Sequence, residues 1–175
     1  EEGTERILEC YESISVLVNN AGIGSSKGLL EITESEWDRT IDVNLKGCFN
    51  WSRAVVPSMQ DRGSGRIVNI ASIAAYSGGT VSKLAYAASK AGLLGMTRSL
   101  AKELGPSITV NAICPGTIKT ELNAKVLANK SSEGISLGRF GTPEDIGEVV
   151  AFLASSEPNF ITGQAITVDG FQSIT

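Results

Sequence analysis

The sequence contains no histidine. That absence excludes Ser-His-Asp and Cys-His nucleophilic machinery and every histidine metal site. Proton chemistry must therefore fall to Tyr, Lys, carboxylates or Cys. Only three cysteines are present, Cys10, Cys48 and Cys114. The odd number and wide spacing suit neither a disulfide framework nor a zinc site, and they read as reduced thiols in a cytoplasmic protein. No apolar run approaches the ~20 residues of a membrane span. No signal peptide is visible, in a chain that opens on Glu1 rather than Met. A surplus of positive charge is also lacking. The net charge is -4, which argues against a nucleic-acid surface. There is no repeat, linker or low-complexity segment. What remains is an ordinary globular composition in 175 residues, long enough for one domain with a substantial core.

Strands and helices alternate in the pattern, which predicts an α/β fold with a mainly parallel sheet. Helix-like composition over residues 4–12 precedes Ile14-Ser15-Val16-Leu17-Val18, a short β-branched run that reads as a buried strand. A helix from about residue 34 to Pro57 carries Trp37, Ile41, Leu45 and Phe49 at helical spacing, behind a capping box at Thr33-Glu34-Ser35-Glu36. Further strands are expected at 66–70, 108–113 and 164–168, with a small polar loop over 76–83. Thr142-Pro143-Glu144-Asp145 opens a helix to about residue 154. Residues 121–138 are irregular.

Gly22, Gly24 and Gly28 follow a strand and imitate a dinucleotide-binding glycine loop. The spacing is wrong by one residue, and the capped helix begins well beyond the glycines. A surface loop is the better reading.

The chemically suggestive stretch is Tyr86-Ala87-Ala88-Ser89-Lys90, in a helix spanning about 84–104. A spacing of four puts Tyr86 and Lys90 one turn apart on one face. An ammonium group there is expected to lower the phenol pKa and suit it to proton exchange with a hydroxyl or carbonyl. Alone this is a weak signal. Four other stretches accompany it in order: Asn19-Asn20-Ala21-Gly22, Asn44 in mid-helix, Ser72 after the second strand, and Pro115-Gly116-Thr117-Ile118-Lys119-Thr120 after the third.

Together these motifs resemble the short-chain dehydrogenase/reductase family over nearly the whole chain, and most closely its branch of 3-oxoacyl carrier-protein reductases and sugar dehydrogenases. The resemblance implies a Rossmann-type doubly wound parallel sheet. It also implies an oxidoreductase moving hydride between NAD or NADP and a small alcohol or carbonyl substrate. Asn44, Ser72, Tyr86 and Lys90 would form the catalytic set. Asn44 would mark a break in its helix and support a proton-relay water. Asn20, Ala21, Gly22, Tyr86, Lys90, Pro115, Gly116, Ile118 and Thr120 would line the cofactor, with Ile118 on the carboxamide. The resemblance further implies a homo-oligomer, tetramer or dimer, pairing the helices at 34–57 and 84–104, with Trp51, Leu93 and Met96 as surface candidates. A flap over the substrate is expected within 121–138, and the tail departs from the family at Phe171, where a second glycine is usual.

One unit is missing from the pattern. A dinucleotide crevice needs a first βα unit with a glycine-rich turn, and none precedes Ile14. Residues 1–175 therefore read as the C-terminal part of a single dinucleotide-binding and catalytic domain, N-terminally incomplete, with an apolar strand edge at 14–18. The rival reading is a catalytically inactive interaction module derived from this fold.

Overall fold

The computed structural model describes residues 2–79, 84–121, 124–128, 130–155 and 160–172. In chain order the elements are α1 (Glu2–Leu8), β1 (Val16–Asn19), α2 (Glu34–Ile41), a π-helical turn (Asp42–Lys46), α3 (Gly47–Asp61), β2 (Gly65–Ile70), α4 (Ala74–Ser77), α5 (Leu84–Leu104), β3 (Ile108–Pro115), α6 (Ala124–Leu127), α7 (Pro143–Ala154) and β4 (Ala165–Val168).

The four strands form one sheet in the order β1-β2-β3-β4, all neighbours parallel. The register aligns Asn19 with Asn69 and Asn69 with Ala112, so the first three strands end side by side at one carboxyl edge. Strand alternation sends consecutive residues to opposite faces. Ile67 packs with Val55, Met59 and Leu104 from α3 and α5, while its neighbour Val68 packs with Ile146, Val149 and Leu153 from α7. Helices on both faces make this the doubly wound α/β fold expected.

The boundaries follow from local chemistry. Thr33 caps α2, accepting from Glu36 N–H at 3.2 Å, and Glu36 returns a bond from Thr33 N–H at 3.0 Å. Thr142 and Asp145 form the same reciprocal cap on α7, with Pro143 at the first turn. Loop 20–33 separates the glycines from α2, which removes the imitation glycine loop from any helix N-terminus.

Several expectations need correction. The helix expected to end towards Pro57 continues through it to Asp61. β3 reaches Pro115 and takes in Cys114, because Cys114 and Pro115 pair with Thr167 and Val168 of β4. The small loop after Ser72 contains α4, and the start of the irregular 121–138 stretch contains α6. The end of the expected 76–83 loop and Asn129 lie outside the described residues. Leu93 is fully buried and Met96 partly so, which removes Leu93 from any subunit surface; Trp51 remains 45% exposed.

A buried polar ladder ties sheet to helix. Asn19 Nδ2 donates to Asn69 Oδ1 at 2.8 Å, and Asn69 Nδ2 donates to Thr97 Oγ1 at 2.9 Å. Buried amides left unpaired would cost about 1–3 kcal/mol each. The ladder therefore fixes α5, and with it Tyr86 and Lys90, against the sheet edge.

Candidate active site

The site is built at the carboxyl ends of β1, β2 and β3. Backbone carries Ser72 just past β2, where Ala71 N–H donates to Ile113 O at 2.7 Å and Ile73 N–H to Pro115 O at 3.1 Å. Ser72 Oγ accepts from Ala74 N–H at 3.1 Å, and its hydroxyl acts on the Tyr86 phenol to favour the ionised form. Tyr86 is partly buried on the first turn of α5. Lys90, one turn on, is 3% exposed. Its Nζ donates to Ile70 O at 2.6 Å and stands 5.6 Å from the centre of the Tyr86 ring.

Burial decides the titration of both groups. Desolvation pushes the Tyr86 phenol above its ordinary value, and the Ser72 hydrogen bond opposes it only partly. The net direction is opposite to the lowering expected from Lys90. The ammonium lies over the ring and is held by Ile70 O, so burial of the phenol prevails. Lys90 is itself pushed down by burial, with Cys48 and Cys114 opposing that shift.

Asn44 sits in the π-helical turn and is fully buried. A π turn is the local helix break expected there, and such turns collect at functional sites. Asn44 Oδ1 accepts from Ile23 N–H at 2.8 Å, and Nδ2 donates to Ile23 O at 2.9 Å and to Ser89 Oγ at 3.0 Å. Ser89 in turn donates to Tyr86 O at 2.7 Å. One amide thus joins the loop after β1 to the turn that bears Tyr86. Its backbone oxygen accepts from Cys48 Sγ at 3.2 Å.

Asn20, Ala21 and Gly22 are exposed just beyond β1. A Cβ built on Gly22 would lie 3.4 Å from both Asn44 Oδ1 and Lys90 Nζ. A side chain there would fill the space before the ammonium group. Pro115, the last residue of β3, and Gly116, Thr117, Ile118 and Thr120 beyond it are partly exposed. Gly116 admits no side chain, since a Cβ would stand 2.7 Å from Asp169 Cβ. A cavity of about 130 Å³ opens beside this loop, lined by Thr117, Ile118, Gly141, Val168, Asp169 and Gly170. Open glycine backbone, a buried lysine amine and a loop beside a cavity fit the reactive end of a nicotinamide cofactor.

Sequence reasoning passed over Ser89, although it stands inside the Tyr86–Lys90 stretch, and Ile23, whose backbone carries the Asn44 contact. It also passed over Gln172, for which no local signal exists.

A doubly wound parallel sheet with Ser, Tyr and Lys converging on its carboxyl edge defines the class of nicotinamide-dependent α/β oxidoreductases. A family model described as enoyl-(acyl carrier protein) reductase matches residues 1–170. A 3-oxoacyl-[acyl-carrier-protein] reductase of Thermotoga maritima is 47% identical over 174 residues, covering 97% of this chain and 70% of that protein. An acetoacetyl-CoA reductase of Shinella zoogloeoides is 44% identical, with 98% and 73% covered. The crystal structure of a 3-oxoacyl-[acyl-carrier protein] reductase with bound NAD from Brucella melitensis superposes with a TM-score of 0.86 at 36% identity, covering 95% of this chain and 65% of that one. The chain belongs to the short-chain dehydrogenase/reductase family. It spans about two thirds of the length of these relatives.

Proposed function

We propose that the protein reduces the 3-oxo group of an acyl thioester to a hydroxyl, with NADH or NADPH as the hydride source. The carrying observation is the convergence of Ser72, Tyr86 and Lys90 at one sheet edge, in a chain whose similar proteins are named for 3-oxoacyl and acetoacetyl thioester reduction. The cofactor supplies the hydride and accepts it back in the reverse direction. Asn20, Ala21, Gly22, Pro115, Gly116, Ile118 and Thr120 would hold its nicotinamide end, and Lys90 would donate to its ribose.

The chain's own work is proton supply and positioning. Ser72 donates to the substrate carbonyl oxygen and polarises it. Tyr86 hands its proton to the same oxygen as negative charge develops there. A phenol raised by burial remains protonated at neutral pH, which suits a proton donor in the reductive direction. Lys90 stabilises the phenolate left behind, and Asn44 keeps the β1 loop registered on the Tyr86 turn. Residues 1–175 act in this reading as the C-terminal, catalytic part of one dinucleotide-binding domain. Three free thiols suit the reducing cytoplasm. Phe49 and Trp51, 47% and 45% exposed on α3, are the side chains best placed for a homo-oligomer contact.

The test is Tyr86→Phe, assayed by oxidation of NADPH or NADH with an acetoacetyl thioester and by fluorescence titration of the cofactor. Turnover should fall by about 10²–10⁴-fold while cofactor affinity stays within about threefold. Retention of most of kcat would remove Tyr86 from the role. A parent protein that binds neither cofactor would favour the inactive-module reading.

A further inference from the structure

The loop bearing Ile118 is held from two sides by residues outside the catalytic set. On one side Gly141 N–H donates to Thr117 O at 3.0 Å and Lys119 N–H donates to Gly141 O at 2.8 Å. On the other side stands a tight turn that follows β4. Gln172 N–H donates to Asp169 O at 3.1 Å, and the two residues between, Gly170 and Phe171, have φ of 62° and 58°. Glycine adopts this left-handed conformation freely. A bulky residue such as Phe is strained there. Such strain persists only where the surroundings fix it, and it collects at functional sites.

The turn delivers the side chain of Gln172 onto the loop. Its Oε1 accepts from Thr117 N–H at 2.6 Å, and its Nε2 donates to Thr117 Oγ1 at 2.7 Å. A Cβ on the adjacent Gly116 would lie 2.7 Å from the same Oε1, so the two segments are pressed together with only glycine between them. One carboxamide thus grips both the backbone and the hydroxyl of the residue immediately before Ile118. No catalytic side chain touches it in the hydrogen bonds described.

We propose that Gln172 is a positioning residue of the nicotinamide site: its carboxamide fixes Thr117, and through Thr117 it sets the backbone of Ile118 that would receive the cofactor. This rests on the cofactor reading given under Proposed function. Because Gln172 works through Thr117 and meets no reacting atom, its loss weakens cofactor binding and spares the chemical step.

Two variants test this. Gln172→Met keeps the length and loses both hydrogen bonds. Gln172→Glu keeps the acceptor for Thr117 N–H, and the Thr117 hydroxyl can turn to donate. Hydrogen exchange at the Thr117 amide is read without cofactor, and KM and kcat are read with NADPH or NADH and an acetoacetyl thioester. In Gln172→Met, exchange at Thr117 should quicken about tenfold and the cofactor KM should rise about tenfold, with kcat within about twofold. Gln172→Glu should restore both. Unchanged exchange, an unchanged KM, a parallel fall of kcat, or failure of Glu to rescue would each overturn the proposal. An active parent with an indistinguishable Gln172→Met overturns it alone. A parent that binds no nicotinamide cofactor overturns the reading of the site as well.

Discussion

At the scale of single residues, burial sets the behaviour of the site. Lys90 is almost wholly enclosed, and enclosure disfavours its charge. Lys90→Met should raise stability by about 1 kcal/mol in urea unfolding while removing turnover, a trade between stability and activity. Tyr86 carries a pH signature. Its folded pKa is raised by burial, so its contribution is complete below the ordinary phenol value near 10. Above that value the unfolded chain ionises first, and stability falls as pH climbs towards the folded pKa. Comparing the urea midpoints of the parent and Tyr86→Phe at about pH 9 and about pH 11 isolates this effect, because the other tyrosines are common to both. The phenylalanine variant should show the smaller loss. Phe171 is exposed and in a left-handed conformation, so Phe171→Gly should relieve strain worth about 0.5–1 kcal/mol, visible as a higher midpoint.

At the scale of elements, the π-helical turn is only partly legible from sequence. Asn44 in mid-helix signals that something interrupts the α-helix, because its amide competes with backbone bonds. It does not reveal that the amide reaches Ile23 and Ser89, contacts that span 21 and 45 residues. Asn44→Ala should cost about 2–3 kcal/mol, since the Ile23 amide and carbonyl lose their buried partner. It should also quicken exchange at the Ile23 amide. Strands, capped helices and their order were legible because period and cap chemistry are local. The end of β3 was not, because Cys114 and Pro115 become strand only by pairing with β4, about 50 residues away. The proposed catalytic quartet of Asn44, Ser72, Tyr86 and Lys90 was visible as motifs. The Tyr86 titration was not, because its direction depends on how deeply the ring is covered.

At the scale of the whole molecule, β1 is one of the two edge strands of the described sheet. It pairs with β2 on one side, and Val18 is 39% exposed. A hydrophobic strand edge invites association with other chains. Val18→Lys in the 175-residue polypeptide should lower light scattering on concentration, with the far-ultraviolet circular dichroism unchanged. No helix among the described residues is long and apolar enough to cross a membrane. The two faces of the sheet are unequal. α3 and α5 build two apolar clusters on one face, and α7 builds a third on the other.

The bond between Gln172 and Thr117 joins residues 55 positions apart. During synthesis on the ribosome, at about 5–20 residues per second, Thr117 emerges roughly 3–11 s before Gln172 does. Throughout that interval Tyr86, Lys90 and Ser72 can already be in place while the loop beyond Pro115 lacks its second anchor. On the proposed reading, assembly of the site is therefore ordered in time: Ser72, Tyr86 and Lys90 first, the loop that would seat the cofactor last.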